Sequence, residues 1–191
     1  MMKIIKSKDY NLNQPKIEAL LDLFRVYQNV ELSSEEKRTA TFMIAEDKER
    51  GIYGGAFLIQ KPVEKLDEKI TNILHVFSSH KRKVWTANLC FCVDGNEPFS
   101  DLENLDLCES FYNGLLKKLI KFGKQEKTKF LVLTLRPTDL FRSKTYGHWP
   151  YLLEIEPKDA LDSLFHGLLS LKVEKSALYK SAWSLFKRSK S

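Results

Sequence analysis

The sequence predicts an α/β (α+β) chain in which amphipathic helices cover a central sheet, and three stretches carry that reading. Phe130 to Leu135 is apolar throughout except at Thr134, the pattern of a strand buried on both faces. Val84 to Val93 alternates, with Trp85, Ala87, Leu89, Phe91 and Val93 on one side, as a second inner strand should. Between them Leu107, Phe111, Leu115, Leu119 and Phe122 recur at helical steps, and Leu116 and Ile120 widen the stripe. A stripe of that width needs a sheet to cover.

From the start, Ile4 and Ile5 mark a first strand, with a turn region from Asp9 to Gln14. Ile17, Leu20, Leu21, Phe24 and Tyr27 predict a helix over Pro15 to Val30, with Asn13 as its cap and Pro15 tolerated in the first turn. Ser33-Ser34-Glu35-Glu36 has the form of a capping box, so a second helix begins at Ser33. Thr39 to Glu46 and Ile52 to Gln60 read as paired strands around the polar turn Asp47 to Gly51, and Gly54 and Gly55 point to a bulge or a close backbone approach. Val63, Leu66, Ile70, Ile73, Leu74 and Phe77 share one helical face. Gly123 followed by Lys124, Gln125 and Lys127 ends the Leu107 helix. Tyr151 to Ile155 is strand-like, Asp159 to Leu171 reads as a helix with Gly167 as its weak point, and Ser176 to Arg188 reads as a helix or a last strand.

With 191 residues and 43% hydrophobic content, one domain over 1–171 is expected, followed by a basic segment over 172–191 that packs on it or trails it. No run of about 18 apolar residues occurs, so no transmembrane segment is expected. The first residues lack the apolar core of a signal peptide, which makes the cytoplasm the expected location. Cys90, Cys92 and Cys108 come without a C-x-x-C pair and read as buried thiols; His75 and His80 read as surface histidines beside a basic turn, and no metal site is expected.

Net charge is +6 but uneven. Asp94 to Glu109 holds six acids and no Lys or Arg, leaving +12 on the remainder, and Lys172 to Ser191 carries +5. The tail therefore suits an acidic partner, or is a solvated basic helix.

The order helix, then strand over Leu107 to Leu135, then a short helix over Phe141 to His148 with Gly147 near its end, resembles the second half of the GCN5-related N-acetyltransferase (GNAT) family. The opening strand, two helices and glycine-containing hairpin are similar to its first half, so the resemblance spans roughly residues 2 to 156. It implies a mixed, mostly antiparallel sheet, with the helix near 63–77 as an insertion. It also implies that strands four and five splay apart for the pantetheine arm of acetyl-CoA, with the pyrophosphate on amides at the next helix start.

By this resemblance Cys92 and Val93 face the pantetheine, and Leu107 to Gly114 stands at the phosphate turn, whose family form is Q/R-x-x-G-x-G/A. Ser110 and Tyr112 then fall on its glycine positions, with Asn113 and Gly114 at its end. The reaction needs a base for the attacking amine and an acid for the leaving thiolate. Tyr146 is the candidate acid, Asp94 the carboxylate nearest the fourth strand, and His148 a candidate base just past Gly147. The implied activity is acyl transfer, acetyl by expectation, from acyl-CoA to an amine on a small molecule or protein. The alternative is a catalytically inactive domain of the same fold that contacts a protein or nucleic acid through the acidic loop 94–109 and the basic C-terminus.

Overall fold

The computed structural model describes residues 2–66, 68–77, 83–91, 102–128, 130–135, 152–155 and 165–170. Strand β1 (Met2–Ile5) leads through two short 3-10 turns to helices α1 (Gln14–Gln28) and α2 (Ser34–Thr39). Strands β2 (Thr41–Asp47) and β3 (Gly51–Pro62) follow, then α3 (Glu68–Phe77), β4 (Lys83–Phe91), α4 (Leu102–Gln125), β5 (Phe130–Leu135), β6 (Leu152–Ile155) and β7 (Phe165–Ser170).

Local chemistry sets the helix ends. Pro15 sits in the first turn of α1, and Asn29, at φ 51°, closes that helix by donating its N–H to the Arg25 carbonyl at 3.1 Å. At α2 both capping-box bonds form: Glu36 N–H donates to Ser33 Oγ at 3.2 Å and Ser33 N–H to Glu36 Oε2 at 2.9 Å.

The described strands make one sheet in the order β1-β2-β3-β4-β5-β7-β6. Every neighbouring pair is antiparallel except β4 and β5, which run parallel. A parallel pair needs a crossover, and α4 stands between these two strands in the chain. Side-chain alternation splits the core into layers. Ala87, Leu89, Phe91, Leu131 and Leu133 meet α4 through Phe111, Tyr112, Leu115, Leu119 and Phe122. On the opposite face Phe42, Ile44, Phe57, Ile59 and Cys90 are covered by α1, while Val84, Phe130, Val132 and Leu168 are covered by α3. The helix near 63–77 is thus a short 3-10 turn plus α3, with Val63, Ile70, Ile73 and Leu74 buried against Val84, Phe130, Val132 and Leu168.

Both expected features of the hairpin glycines occur. The register shifts between Ala45 and Glu46 opposite Tyr53, and a Cβ on Gly55 would come 2.1 Å from the Met43 carbonyl oxygen. Two boundaries differ from the sequence reading. The helix expected from Leu107 begins at Leu102, so Glu103, Asp106 and Glu109 are helical rather than loop positions. The helix expected over Asp159 to Leu171 contains strand β7 instead, paired with both β5 and β6. Leu168 and Leu169 are successive and both buried, one in the α3 layer and one in the α4 layer, as only a strand inside a sheet allows.

Candidate active site

The parallel ladder between β4 and β5 runs from Trp85↔Leu131 to Asn88↔Thr134 and ends there. β4 continues through Leu89 and Cys90 to Phe91, still paired to β3, whereas Leu135 at the end of β5 pairs with Phe165 of β7. Among the described residues, past Asn88 and Thr134 each strand is paired only with its outer neighbour, which leaves a notch in the ladder at their carboxyl ends. Carboxyl ends of parallel strands are where ligands enter sheets of this kind.

Helix α4 points its first turn at the same end. Phe111, in its first half, packs 4.6 Å from Phe91 at the end of β4, while Phe122, near its last turn, packs 4.9 Å from Trp85 at the start. The helix therefore runs antiparallel to β4, with the free amides and positive pole of its N-terminus toward the notch.

The two faces of the notch differ in chemistry. On the α4 face an aromatic cluster closes it: Tyr53, Phe91, Phe111 and Tyr112, with ring centroids 4.6 to 6.2 Å apart. Phe91, Phe111 and Tyr112 are no more than 1% exposed. Burial, followed by the nearby Asp47 carboxylate, pushes the Tyr53 phenol above its ordinary value, against a smaller pull from Arg50. On the α1 face the lining is polar: Gln28, Thr86, Asn88 and Thr134 are buried. Thr86 donates its hydroxyl to the Ile59 carbonyl at 3.3 Å. Gln28, the last residue of α1, donates Nε2 to the Leu89 carbonyl, one residue past the end of the ladder. Its Oε1 is the buried side-chain oxygen without a partner among the described residues.

Of the residues nominated from sequence, Ser110, Tyr112, Asn113 and Gly114 lie inside α4, about 12 Å or more along its axis from Leu102 at 1.5 Å per residue. They form helix interior rather than a turn ahead of a helix, and Tyr112 belongs to the core. Cys92, Val93, Asp94, Tyr146 and His148 lie outside the described residues, as do His80, the Phe141 to His148 stretch, residues 94–101 of the acidic loop and the tail 172–191. Cys90 is fully buried under α1, as expected of a core thiol, and His75 is exposed. Among the described residues no cluster of metal-binding side chains occurs and no helix is long and apolar enough to cross a membrane.

Gln28 was not among the nominated residues, yet its sequence position held a clue. It follows Phe24 by four on the stripe Ile17, Leu20, Leu21, Phe24, so a polar side chain had to fall on the buried side of α1. A separate hollow of about 160 Å³ between α1 and α2 is lined by Glu18, Arg25, Glu31 and Lys37, whose charges pair with one another: Lys37 with Glu18 at 3.0 Å and Arg25 with Glu31 at 3.8 Å.

No protein-family model and no curated protein matches the sequence. Solved structures share the fold. FeeM, an N-acyl amino acid synthase from uncultured soil microbes, is 13% identical, with 93% of this chain and 93% of that chain covered and a TM-score of 0.54. BjaI, a CoA-dependent acyl-homoserine lactone synthase solved with SAM and isopentyl-CoA, is 12% identical over 95% of this chain and 89% of its own, with a TM-score of 0.54. The NatC complex bound to Gag peptide and CoA contains a chain 9% identical over 90% of this one and 98% of its own, with a TM-score of 0.53. At such identities the likeness is one of architecture.

Proposed function

We propose that this chain, a divergent bearer of the GNAT fold, is an acyl-CoA-dependent N-acyltransferase whose thioester substrate enters between β4 and β5. The observation that carries this reading is the end of the parallel ladder at Asn88 and Thr134 while β4 runs on to Phe91. Past the Leu89 carbonyl, which Gln28 occupies, the end of β4 is proposed to offer its remaining backbone groups on the β5 side to the amides of a pantetheine arm. The first turn of α4, from Leu102, offers N–H groups without intrahelical partners to a pyrophosphate. We assign the anion to that turn, ahead of the 110–114 stretch, because interior amides of a helix already donate to carbonyls four residues back.

In the reaction the amine nitrogen attacks the thioester carbonyl; a C–N bond forms, the C–S bond breaks, the nitrogen loses a proton and the thiolate gains one. Asp94 and His148 are the proposed proton acceptors and Tyr146 the proposed donor, on their positions in the sequence. Cys92 and Val93, next in sequence after β4, are proposed to face the cosubstrate's pantetheine arm. The acyl group is proposed to be acetyl, a reading supported by the buried rings of Phe91, Phe111 and Tyr112 on the α4 side of the notch, which would leave little room for a long chain. The acceptor is an amine on a small molecule or a peptide.

One observation favours a second reading, a catalytically inactive binding module: positions 107–114 hold helix where the family has its glycine-rich turn. Calorimetry with acetyl-CoA separates the two. Saturable binding, with a rise in melting temperature equivalent to about 2.7 kcal/mol at a hundredfold excess over Kd, is expected of the enzyme. Stabilisation by a protein or nucleic acid and none by CoA thioesters would establish the module.

A further inference from the structure

The polar face of the notch contains a group that packing does not explain. Asn88 and Thr134 stand opposite each other on the last rung of the β4–β5 ladder, and both are buried on the face that α1 covers. Gln28 enters that region from the end of α1, and its Nε2 is held by the Leu89 carbonyl. This bond fixes the amide plane: exchanging oxygen for nitrogen would place two acceptors together. The helix end carrying it is pinned as well, by Asn29 N–H to the Arg25 carbonyl at 3.1 Å and Val30 N–H to the Phe24 carbonyl at 3.3 Å. What remains is an amide oxygen held still, with Gln28 only 9% exposed and Oε1 unpartnered among the described residues. A methionine would fill similar volume with no such penalty, and buried acceptors left open are uncommon.

We propose that Gln28 Oε1 is a binding group for an N–H of the acceptor, a primary amine or its ammonium form, and so orients the nitrogen over the notch. The Leu89 carbonyl, the first β4 acceptor past the ladder, is already taken by Gln28. The backbone there is closed to a pantetheine amide, and the oxygen offered in exchange comes from the α1 side of the sheet. A nucleophile must approach a thioester carbonyl from outside its plane, and Oε1, carried by α1 on one face of the sheet, would receive its N–H there. The inference rests on the acyl-transfer reading for the identity of the amine as acceptor, but the binding group itself can be tested without turnover.

The test follows the side-chain amide resonance of Gln28 in ¹⁵N-labelled protein, assigned by its loss in Gln28→Met. Titration with ethylamine, with and without acetyl-CoA, should shift that resonance saturably. Tetramethylammonium, which has the charge and no N–H, should leave it in place. Gln28→Met should retain acetyl-CoA affinity within about twofold and raise the KM for the amine at least tenfold, with only the small fall in melting temperature that loss of the bond to the Leu89 carbonyl brings. A merely structural glutamine would move the melting temperature and leave the amine KM alone. The proposal is overturned if ethylamine shifts nothing in either state, if tetramethylammonium shifts the resonance equally, or if acetyl-CoA alone produces the whole shift, which would give Oε1 to the cosubstrate. A failure of the acyl-transfer reading shows elsewhere, as absence of acetyl-CoA binding in calorimetry while the ethylamine shift persists.

Discussion

The ring of Phe91, the last residue of β4, packs 4.6 Å from that of Phe111 on α4, at an interplanar angle of 38°, and the pair closes the α4 side of the notch. Both are fully buried, so the contact sets at once how firmly α4 is seated and how much room lies behind a bound acyl group. Phe111→Ala should lose about 3–5 kcal/mol in denaturant unfolding. Phe111→Leu, which keeps much of the volume, should lose less and should raise the ratio of kcat/KM for octanoyl-CoA over acetyl-CoA at least tenfold. An unchanged ratio would mean that acyl length is read elsewhere.

Gly55 and Gly51 test two different reasons for a glycine. A Cβ on Gly55 would sit 2.1 Å from the Met43 carbonyl oxygen, which belongs to the backbone of β2 and cannot step aside. Gly55→Ala should cost more than about 3 kcal/mol or prevent folding. At Gly51 nothing lies within 4 Å, and only its φ of +69° resists a side chain. Gly51→Ala should cost about 1 kcal/mol, read as a modest fall in urea midpoint.

Gly114 should behave in the opposite way. It lies inside α4, and an added Cβ would meet nothing nearer than the Met2 side chain at 4.0 Å. Gly114→Ala should stabilise by about 0.5–1 kcal/mol, since glycine is the weaker helix former. Acetyl-CoA affinity should be unchanged. A tenfold fall would relocate the phosphates from the first turn of α4 to this stretch.

Tyr53 supplies a pH dependence. Its phenol is raised above 10.0 by burial and by Asp47, so the folded state favours the neutral form more than the unfolded chain does. The corresponding stability is complete below pH 10 and is lost as pH rises from the unfolded value through the folded one. Melting temperature should fall more steeply above about pH 10 in the native protein than in Tyr53→Phe, measured in parallel thermal scans.

How much of this was readable in advance follows from the range of the interactions involved. Phe130 to Leu135 was delimited correctly because a strand buried on both faces has no polar phase to misread, and Ser33 with Glu36 announced a helix start by two short-range bonds. β7 was missed because Leu168 and Leu169 owe their environment to β5 and β6, distant in sequence, and short apolar runs fit either period. The start of α4 was set too late because the stripe Leu107, Phe111, Leu115 looks the same whether a helix begins at its first member or before it. Gln28 escaped because its partner, the Leu89 carbonyl, is a backbone atom on a strand 61 positions away.

The lone parallel join has a further consequence, for cooperativity. From β1 to β4 each strand is stitched to the next in antiparallel register, and β5, β7 and β6 form a second antiparallel group. Among the described residues the groups are joined only from Trp85↔Leu131 to Asn88↔Thr134. Amide exchange should divide along that seam, with β5, β6 and β7 opening as one unit at lower free energy than β2, β3 and β4. Whatever fills the gap at the seam's end would tie the two units together and slow exchange in both.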